Sequence, residues 1–229
     1  MSDSAEFDQF AENYDDCLNS ALAASGENKE FFARERVRWL ARCLQEFHQD
    51  CRSVLDYGCG VGDTTELLRE VLKSESAVGL DVSTSSLERA RRNHGTTCRF
   101  LTFPEYAPDE SVDIIYCNGV FHHIPPAERA ESVSYIFRCL RPGGVFALWE
   151  NNPWNPGTQY VMHRCDFDRD AVKISPRRAP RLIARAGLEI LRTDYRFFFP
   201  RALKVLRPLE DSLSWLPLGG QYQVLARKP

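Results

Sequence analysis

VLDYGCGVGD, residues 54–63, is an apolar run followed by glycines at positions 58, 60 and 62. A short apolar run that ends at such a break is typical of a buried strand. Glycines directly after a strand permit a tight turn, and they let a ligand approach the backbone at the N-terminus of the next helix. This stretch therefore predicts a strand, a ligand-binding loop and a helix in succession.

The same alternation of short apolar runs and helical stretches continues along the chain after Cys51. The predicted strands lie at residues 53–56, 77–81, 112–117, 145–149, 190–199 and 221–227. The predicted helices lie at residues 64–72, 83–93, 126–140 and 201–213, with Ser83 as an N-cap and Pro126 at a helix start. Alternating strands and helices indicate βαβ units, so we expect a mostly parallel sheet covered on both faces.

The first fifty residues are predicted to be helical. Phe7, Phe10 and Tyr14 recur at helical spacing, and a second apolar stripe lies within residues 31–44. Residues 25–28 (SGEN) mark a break between the two helices. Because no internal repeat or linker is visible, the sequence predicts one domain.

The composition is that of an ordinary globular protein. The 229 residues are 43% hydrophobic and 27% charged, with a formal net charge of −3, which excludes disordered and collagen-like classes. No apolar run approaches the roughly 20 residues of a membrane span, and the acidic N-terminus does not resemble a secretory signal. The eight cysteines occur singly, without metal-site spacing, so we expect free thiols, no metal and a cytoplasmic location.

The net charge is the difference between two unlike parts of the chain. Residues 1–163 carry 15 basic and 25 acidic side chains, a net of −10. Residues 164–207 carry 12 basic and 5 acidic side chains, a net of +7. This asymmetry indicates where an anionic partner would bind. We expect no nucleic-acid partner, because no basic stripe is interleaved with aromatic residues.

The spacing of the glycine loop distinguishes between cofactors. A dinucleotide fingerprint, GxGxxG, would need glycine at position 63, where this chain has Asp63. Asp56 precedes the glycines, and a carboxylate there suits a cationic ligand better than a pyrophosphate. Asp81 ends the next predicted strand, 21 residues beyond Gly60, where a carboxylate can accept hydrogen bonds from ribose hydroxyls. The loop therefore favours a nucleoside that carries a positive charge over NAD.

Four motifs in this order resemble the class I S-adenosylmethionine-dependent methyltransferases: DYGCGVGD (56–63), GLDVS (79–83), VDIIYCNGVFHHI (112–124) and LRPGGVFAL (140–148). FDQFAENYDD, near the N-terminus, is similar to the first helix of the small-molecule and ubiquinone/menaquinone-type members. The resemblance implies a Rossmann-like, doubly wound, mostly parallel seven-stranded sheet with an antiparallel C-terminal edge strand. It also implies S-adenosylmethionine as cofactor, S-adenosylhomocysteine as product and a small-molecule acceptor.

Within a single domain, 1–229, the resemblance implies four functional parts. These are a helical lid (1–50), a cofactor-binding core (51–150), a substrate-recognition insertion (151–190) and a closing strand–helix–strand unit (190–229). The implied contacts of the cofactor are Tyr14, Asp56, Gly58, Gly60, Asp81, Val82, Thr102, Phe103, Asn118 and Gly119.

Candidate catalytic residues follow the fourth and fifth predicted strands. His123 and His122 are candidates for a general base, because histidine as a residue type can take up and release a proton near neutral pH. Glu150 ends the next predicted strand at the same edge. The simpler interpretation of these two histidines is that they form part of the cofactor site and do not act as a base. The candidates for binding the acceptor are Asn151, Asn152, Trp154, His163, Arg177 and Arg178.

Two alternatives remain open at this point. The chain is interpreted as an enzyme that methylates oxygen or nitrogen of an anionic or amphipathic metabolite by in-line displacement, but a non-catalytic cofactor-binding activator or scaffold would share the motifs. The run 197–199 (FFF), together with Leu203, Leu206 and Leu209, is interpreted as core, because its spacing is helical. Contact of these residues with a membrane surface is the less favoured interpretation.

Overall fold

A computed structural model describes residues 22–164 and 171–229. The strands are β1 (Ser53–Tyr57), β2 (Ser76–Asp81), β3 (Arg99–Thr102), β4 (Val112–Asn118), β5 (Leu140–Asn151), β6 (Glu189–Arg196) and β7 (Gln221–Arg227). The helices are α1 (Lys29–Glu46), α2 (Asp63–Leu72), α3 (Thr84–His94), α4 (Arg129–Cys139), α5 (Pro156–Arg164) and α6 (Arg178–Arg185). Three 3₁₀ helices span Ala23–Ser25, Phe103–Glu105 and Arg201–Leu209.

The seven strands form one sheet in the order β3-β2-β1-β4-β5-β7-β6. The first five pair in parallel, and β7 runs antiparallel to both β5 and β6. The expected doubly wound, mostly parallel sheet is therefore confirmed. The antiparallel C-terminal strand lies one position inside the edge, which is formed by β6.

Helices cover both faces of the sheet because the side chains of the strands alternate between two buried clusters. Val54 of β1 joins the cluster that includes Leu40, Leu68 and Leu87 of α1, α2 and α3. Leu55 joins the opposite cluster, which includes residues of α4 and α6. The order of the strands reverses between β1 and β4, and ligands of open α/β sheets bind beside such a reversal.

Two helices begin at side-chain caps, of which the sequence predicted the one at Ser83. The Asn28 side chain accepts a hydrogen bond from the backbone N–H of Phe31 at 3.0 Å and begins α1. The Ser83 hydroxyl accepts one from Ser86 N–H at 3.1 Å and begins α3. Each cap satisfies a backbone donor that would otherwise lack a partner at the first turn.

The prediction of a helix from Pro126 was wrong by three residues, since α4 begins at Arg129. Glu128 N–H donates to Pro125 O at 2.9 Å, so a turn precedes the helix. The strand predicted from Val145 begins earlier, at Leu140, which pairs with Val112. The register shifts between Val112 and Ile114, because the extra residues 141–144 lie in β5.

The largest differences from the sequence prediction follow β6. This strand ends at Arg196, because Phe197 adopts a φ of 66° and leaves the sheet. The predicted helix over 201–213 is a 3₁₀ helix that ends at Leu209, with Pro208 inside it. A proline lacks the N–H that a continuing α-helix needs.

The apolar side chains of that 3₁₀ helix are exposed, so the expectation that they form core was wrong. Leu203, Leu206 and Leu209 all face solvent. The backbone kinks at Leu203, where φ is −110° and ψ is 25°, so a regular α-helical face is not formed. The same expectation is confirmed for Phe197 and Phe198, which pack against the two buried clusters.

The remaining observations concern cysteines and membrane helices. In residues 22–164 and 171–229, all six cysteines are free thiols, and five of them are buried. None of the helices in these ranges is both long and apolar enough to cross a bilayer. The division into lid, core, insertion and closing unit stays a prediction.

Candidate functional site

A cavity of about 840 Å³ opens at the carboxyl ends of β1, β2 and β4. The glycine loop forms its floor, and α1 and α4 contribute to its walls. Of the residues predicted to contact the cofactor or to act in catalysis, eight line this cavity: Gly58, Gly60, Asp81, Val82, Phe103, Asn118, Gly119 and His123. Residues from four separate segments of the chain are therefore brought together at one edge of the sheet.

The glycine loop leaves β1 in a conformation that only glycine adopts without strain. Gly58 has a φ of 78°, and its N–H donates to Leu80 O at 2.7 Å. A Cβ atom on Gly58 would lie 2.3 Å from Cγ2 of Val120. Gly60 also has a positive φ, 53°, but a Cβ there would meet no atom within 4 Å. The loop is therefore packed against Val120, just after β4, at Gly58 and is open to the cavity at Gly60.

Asp81 connects the loop to the end of β2. Its Oδ2 accepts a hydrogen bond from Gly60 N–H at 2.7 Å, and its Oδ1 accepts one from Ser83 N–H at 2.9 Å. These bonds fix the carboxylate at the cavity wall. The predicted acidic residue and the predicted glycine loop therefore form one unit.

Asp56 lies beneath the loop and does not line the cavity. Its side chain is buried, and its Oδ2 accepts a hydrogen bond from the Thr65 hydroxyl at 2.8 Å. Burial raises the pKa of Asp56 to about 7, although the Thr65 hydrogen bond and the charge of Arg36 act in the opposite direction. In this structure Asp56 anchors the start of α2 rather than facing the cavity directly.

The two predicted neighbours of an adenine base, Thr102 and Phe103, behave differently. Thr102 lies outside the cavity, and its backbone N–H donates to the Glu105 carboxylate at 2.7 Å. Phe103 lines the cavity and packs against Tyr57, with the ring centroids 4.8 Å apart. An apolar ring at this wall can cover a planar ligand.

The three predicted catalytic residues are divided between the cavity and the core. His122 and Glu150 are buried, with His122 Nδ1 and Glu150 Oε2 hydrogen-bonded at 2.6 Å. Glu150 Oε1 also accepts the backbone N–H of Phe121 at 2.9 Å. Only His123 lines the cavity, with its ring centroid 4.2 Å from that of His122. The His122–Glu150 pair therefore holds the loop that carries His123.

The residues predicted to bind the acceptor do not line the cavity. Asn152 is fully buried, and its Nδ2 donates to Gly219 O at 2.8 Å. Asn151 Oδ1 accepts a hydrogen bond from Gln221 Nε2 at 3.0 Å. These two asparagines connect the end of β5 to the segment before β7.

The other acceptor candidates are exposed. The guanidinium of Arg177 lies 5.4 Å from the ring centroid of Trp154. Arg178 and His163 are also exposed, at the start of α6 and in the last turn of α5. The geometry does not bring this set into contact with the cavity. Tyr14, predicted to cover the cofactor, lies outside the described residues.

Sequence reasoning missed the contribution of α1 to the cavity. Lys29, Ala33 and Arg36 recur at helical spacing and line one wall, with Arg34 nearer to solvent. The sequence does contain a signal for this contribution, since Arg36 lies next to the apolar stripe of α1. A charged residue at such a position of an amphipathic helix faces the sheet rather than solvent.

Arg36 is the most unusual of these residues. It is buried, and it donates from Nε to the Tyr116 hydroxyl at 3.2 Å and from Nη1 to Gln221 Oε1 at 3.0 Å. No carboxylate of the described residues forms a salt bridge with it. A buried guanidinium with neutral partners at a cavity wall is suited to an anionic ligand group.

Helix α4 supplies the opposite wall, which the sequence also left unassigned. Ser132, Tyr135 and Arg138 line the cavity on this side. The Tyr135 hydroxyl donates to Tyr106 O at 2.9 Å and fixes the ring.

Within residues 22–164 and 171–229, no group of three or more histidine, cysteine, aspartate or glutamate residues could hold a metal ion.

Comparisons with known proteins agree with this geometry. Residues 54–144 match the family described as a methyltransferase domain. The chain is 28% identical over 225 residues to trans-aconitate 2-methyltransferase of Rhizobium etli, an alignment that covers 90% of this chain and 83% of that protein. It is 33% identical over 119 residues to the trans-aconitate 2-methyltransferase of Acidovorax ebreus, covering 51% of this chain but 45% of that protein.

The fold is also similar to that of a solved structure from Thermotoga maritima. That protein is described as an S-adenosylmethionine-dependent methyltransferase, possible histamine N-methyltransferase. The superposition has a TM-score of 0.64 at 17% identity and covers 97% of this chain and 98% of that one. This likeness concerns the fold alone. The relatives matched by sequence name a different acceptor, so the acceptor has to be argued from the cavity.

Proposed function

We propose that the chain is a class I S-adenosylmethionine-dependent methyltransferase, with S-adenosylmethionine as cofactor, and that it methylates a small molecule that carries a carboxylate. The observation that supports the proposal most strongly is the bond from Gly60 N–H to Asp81 at the edge of an open cavity. It brings the glycine loop and the strand-end carboxylate into one site, as recognition of a nucleoside requires.

The residues of the cavity fit the two ends of this cofactor. Space above Gly60 allows close approach to the backbone, since a Cβ there would meet nothing within 4 Å. Asp81, Val82 and Phe103 offer a carboxylate and apolar surface for the ribose and the adenine. Gly58, Asn118 and Gly119 would hold the methionine portion.

We assign the carboxylate of the cofactor's amino acid portion to Arg36. The charge of Arg36 also acts on the buried carboxyl of Asp56, where it lowers the pKa against the effect of burial. A buried guanidinium that lines the cavity is suited to pair with the anionic carboxylate of an amino acid. Arg36 comes from α1 and was absent from the motifs that carry the resemblance.

The chemistry requires little of the protein beyond orientation and exclusion of water. When bound, the cofactor supplies an activated methyl group on a sulfonium, whose sulfur retains the electron pair of the broken C–S bond. A carboxylate acceptor already presents the attacking electron pair at neutral pH, so no residue has to remove a proton. A hydroxyl acceptor would need a base, and His123 is the candidate from the predicted catalytic set that lines the cavity.

Two lines of support favour a carboxylate acceptor. Relatives matched over most of this chain are named for a tricarboxylic acid, trans-aconitate. Arg34 is exposed at the cavity wall, on the same helix as Arg36. Because Arg177 and Arg178 do not line the cavity, we transfer the expected recognition of an anionic acceptor from those residues to Arg34.

Transfer of a radiolabelled methyl group to a panel of acceptors tests the proposed function. The panel contains di- and tricarboxylic acids, matched alcohols and amines. We expect turnover of carboxylic acids, with a pH dependence that lacks the ionisation of a base. Calorimetric binding of S-adenosylmethionine without turnover of any acceptor would instead favour the non-catalytic activator or scaffold. Turnover of alcohols or amines alone would contradict the acceptor class.

A ligand pair separates the role of Arg36 from general damage to the site. Arg36→Gln is expected to weaken binding of S-adenosylhomocysteine about tenfold or more, because a charge-assisted hydrogen bond is lost. Binding of 5′-methylthioadenosine, which lacks the amino acid portion, should change little. Arg38→Gln is the control, since Arg38 is exposed on α1 and pairs with Glu35. Equal losses for the two ligands would contradict the assignment.

A further inference from the structure

The segment from Arg201 to Leu218, here called the 201–218 surface, exposes an unusual amount of apolar side chain. Val205 is 80% exposed and Trp215 is 70% exposed. The same segment contains four further exposed large apolar residues, Leu203, Leu206, Leu209 and Leu218. Exposed apolar residues that occur singly need no explanation, whereas a cluster of this kind marks an interaction surface.

The 201–218 surface is held in place by buried polar contacts on its inner side. The Glu210 carboxylate accepts the backbone N–H groups of Phe197 and Phe199, both at 3.1 Å. Arg207 forms a salt bridge with Glu27 at 2.9 Å and lies 4.4 Å from the ring centroid of Phe31. The apolar side chains therefore project outward from a segment that is fixed to the fold.

The charge at this surface is positive. Arg201 and Lys204 are exposed, and residues 201–209 contain no acidic residue. Asp211 pairs with Arg42 at 2.6 Å and with Arg196 at 2.8 Å, which neutralises the exposed carboxylate that follows. The apolar side chains are thus bordered by basic groups.

We propose that the 201–218 surface binds a lipid bilayer that contains anionic headgroups. A short helix with exposed leucines, followed by an exposed tryptophan and bordered by lysine and arginine, has the composition of segments that lie in the membrane interface. Tryptophan is favoured at the level of the headgroups, where Trp215 would lie. Arg201 and Lys204 would contact the negative lipid surface.

The shape and charge of this surface favour a bilayer over a second copy of the chain. Its side chains protrude into solvent, as the 80% exposure of Val205 and the 70% exposure of Trp215 indicate. Two copies that met through this surface would bring like charges of Arg201 and Lys204 together, which is unfavourable. A bilayer accepts protruding side chains and supplies the opposite charge.

The surface lies beside the cavity described above. Phe31, which packs under Arg207, belongs to the first turn of α1. Lys29 and Glu30 of the same turn line the cavity. Binding to a bilayer would therefore place one wall of the cavity close to the membrane. The inference does not depend on the proposed function.

Co-sedimentation of the full chain with vesicles tests the proposal. We expect the chain to bind vesicles of phosphatidylcholine mixed with phosphatidylglycerol, and to bind less to phosphatidylcholine alone or at high salt. The double variant Val205→Asp/Leu209→Asp should lower the partition coefficient at least about tenfold, because two charges replace apolar contacts. Arg99→Glu, in β3 at the opposite edge of the sheet, changes the net charge equally and should bind as the wild type does.

Two further measurements distinguish a loss of membrane binding from a loss of folding. Calorimetry with S-adenosylmethionine and the thermal unfolding midpoint check that the double variant is folded, since neither residue lines the cavity. Absence of wild-type binding to anionic vesicles would overturn the proposal, as would equal losses in the double variant and Arg99→Glu. A wild-type dimer that the double variant converts to monomer, without vesicle binding, would assign the surface to a second copy instead.

Discussion

The glycine loop (residues 58–62) follows β1, and the 201–218 surface follows β6. Each has a sequence pattern that predicts a definite local structure, a tight turn in the first and a helix in the second. In the glycine loop, the predicted conformation is present, and Gly58 packs against Val120 while Gly60 opens to the cavity. In the 201–218 surface, the predicted α-helix is replaced by a 3₁₀ helix whose leucines face solvent. One pattern predicted its structure well, and the other did not.

The difference lies in what each pattern constrains. Glycines at alternate positions restrict the backbone itself, because other residues are strained at positive φ. Apolar residues at helical spacing only predict that some face is apolar, and they do not state whether the rest of the fold covers it. A prediction from glycine spacing is therefore tested by substitutions that strain the backbone. A prediction from apolar spacing is tested by comparing substitutions at exposed and at buried positions.

The largest expected effect is that of adding a methyl group at Gly58. Gly58→Ala combines a strained positive φ with a clash against Val120 and should lower the free energy of unfolding by about 2–4 kcal/mol. Gly60→Ala, with no atom in the way, should cost about 1 kcal/mol but weaken cofactor binding. Urea denaturation and calorimetry measure the two effects. Equal stability losses would show that the loop is not packed differently at its two glycines.

Removal of the Asp81 carboxylate is expected to have the next largest effect. Asp81→Ala should weaken binding of S-adenosylmethionine about ten- to hundredfold in calorimetry, because hydrogen bonds to a charged group are lost and Gly60 N–H loses its acceptor. Glu88→Ala, an exposed substitution on α3, is the matched control. An unchanged affinity in Asp81→Ala would contradict the assigned position of the cofactor.

The buried carboxyl of Asp56 should make the stability of the cofactor-free protein depend on pH. Since burial raises its pKa from 3.8 to about 7, the folded state favours the protonated form. Below about pH 4, Asp56 is protonated in both the folded and the unfolded state, and its burial carries no ionisation penalty. As the pH rises toward about 7, the unfolded state loses this proton first, so the free energy of unfolding decreases. Asp56→Asn stays neutral, so its stability relative to the wild type should increase over this range. Parallel pH profiles in urea denaturation would exclude this effect.

The smallest expected effect belongs to the 201–218 surface. Val205→Ser should change the free energy of unfolding by less than about 0.5 kcal/mol, because the side chain makes few contacts in the folded state. Leu68→Ala, in a fully buried position of α2, should cost about 2–5 kcal/mol. A loss in Val205→Ser comparable with that in Leu68→Ala would show that Val205 is covered in solution.

The sequence by itself determined the features that depend on neighbouring residues. Strand β7 has the predicted limits, 221–227, and Ser83 forms the predicted cap. The placement of Asp81 at the same edge of the sheet as the glycine loop followed from two consecutive βα units, although the hydrogen bond from Gly60 N–H was not predicted. Turn, cap and strand preferences act over a few residues, so a single sequence expresses them directly.

Only the tertiary structure decided which side chains reach the cavity and which apolar face stays exposed. Arg36 meets Gln221, 185 residues away, and no local pattern specifies such a contact. His122 and His123 are adjacent in sequence, yet one pairs with Glu150 in the core and the other lines the cavity. The physical reason is that burial and charge pairing arise between elements distant in the chain, after the backbone has chosen its local conformation.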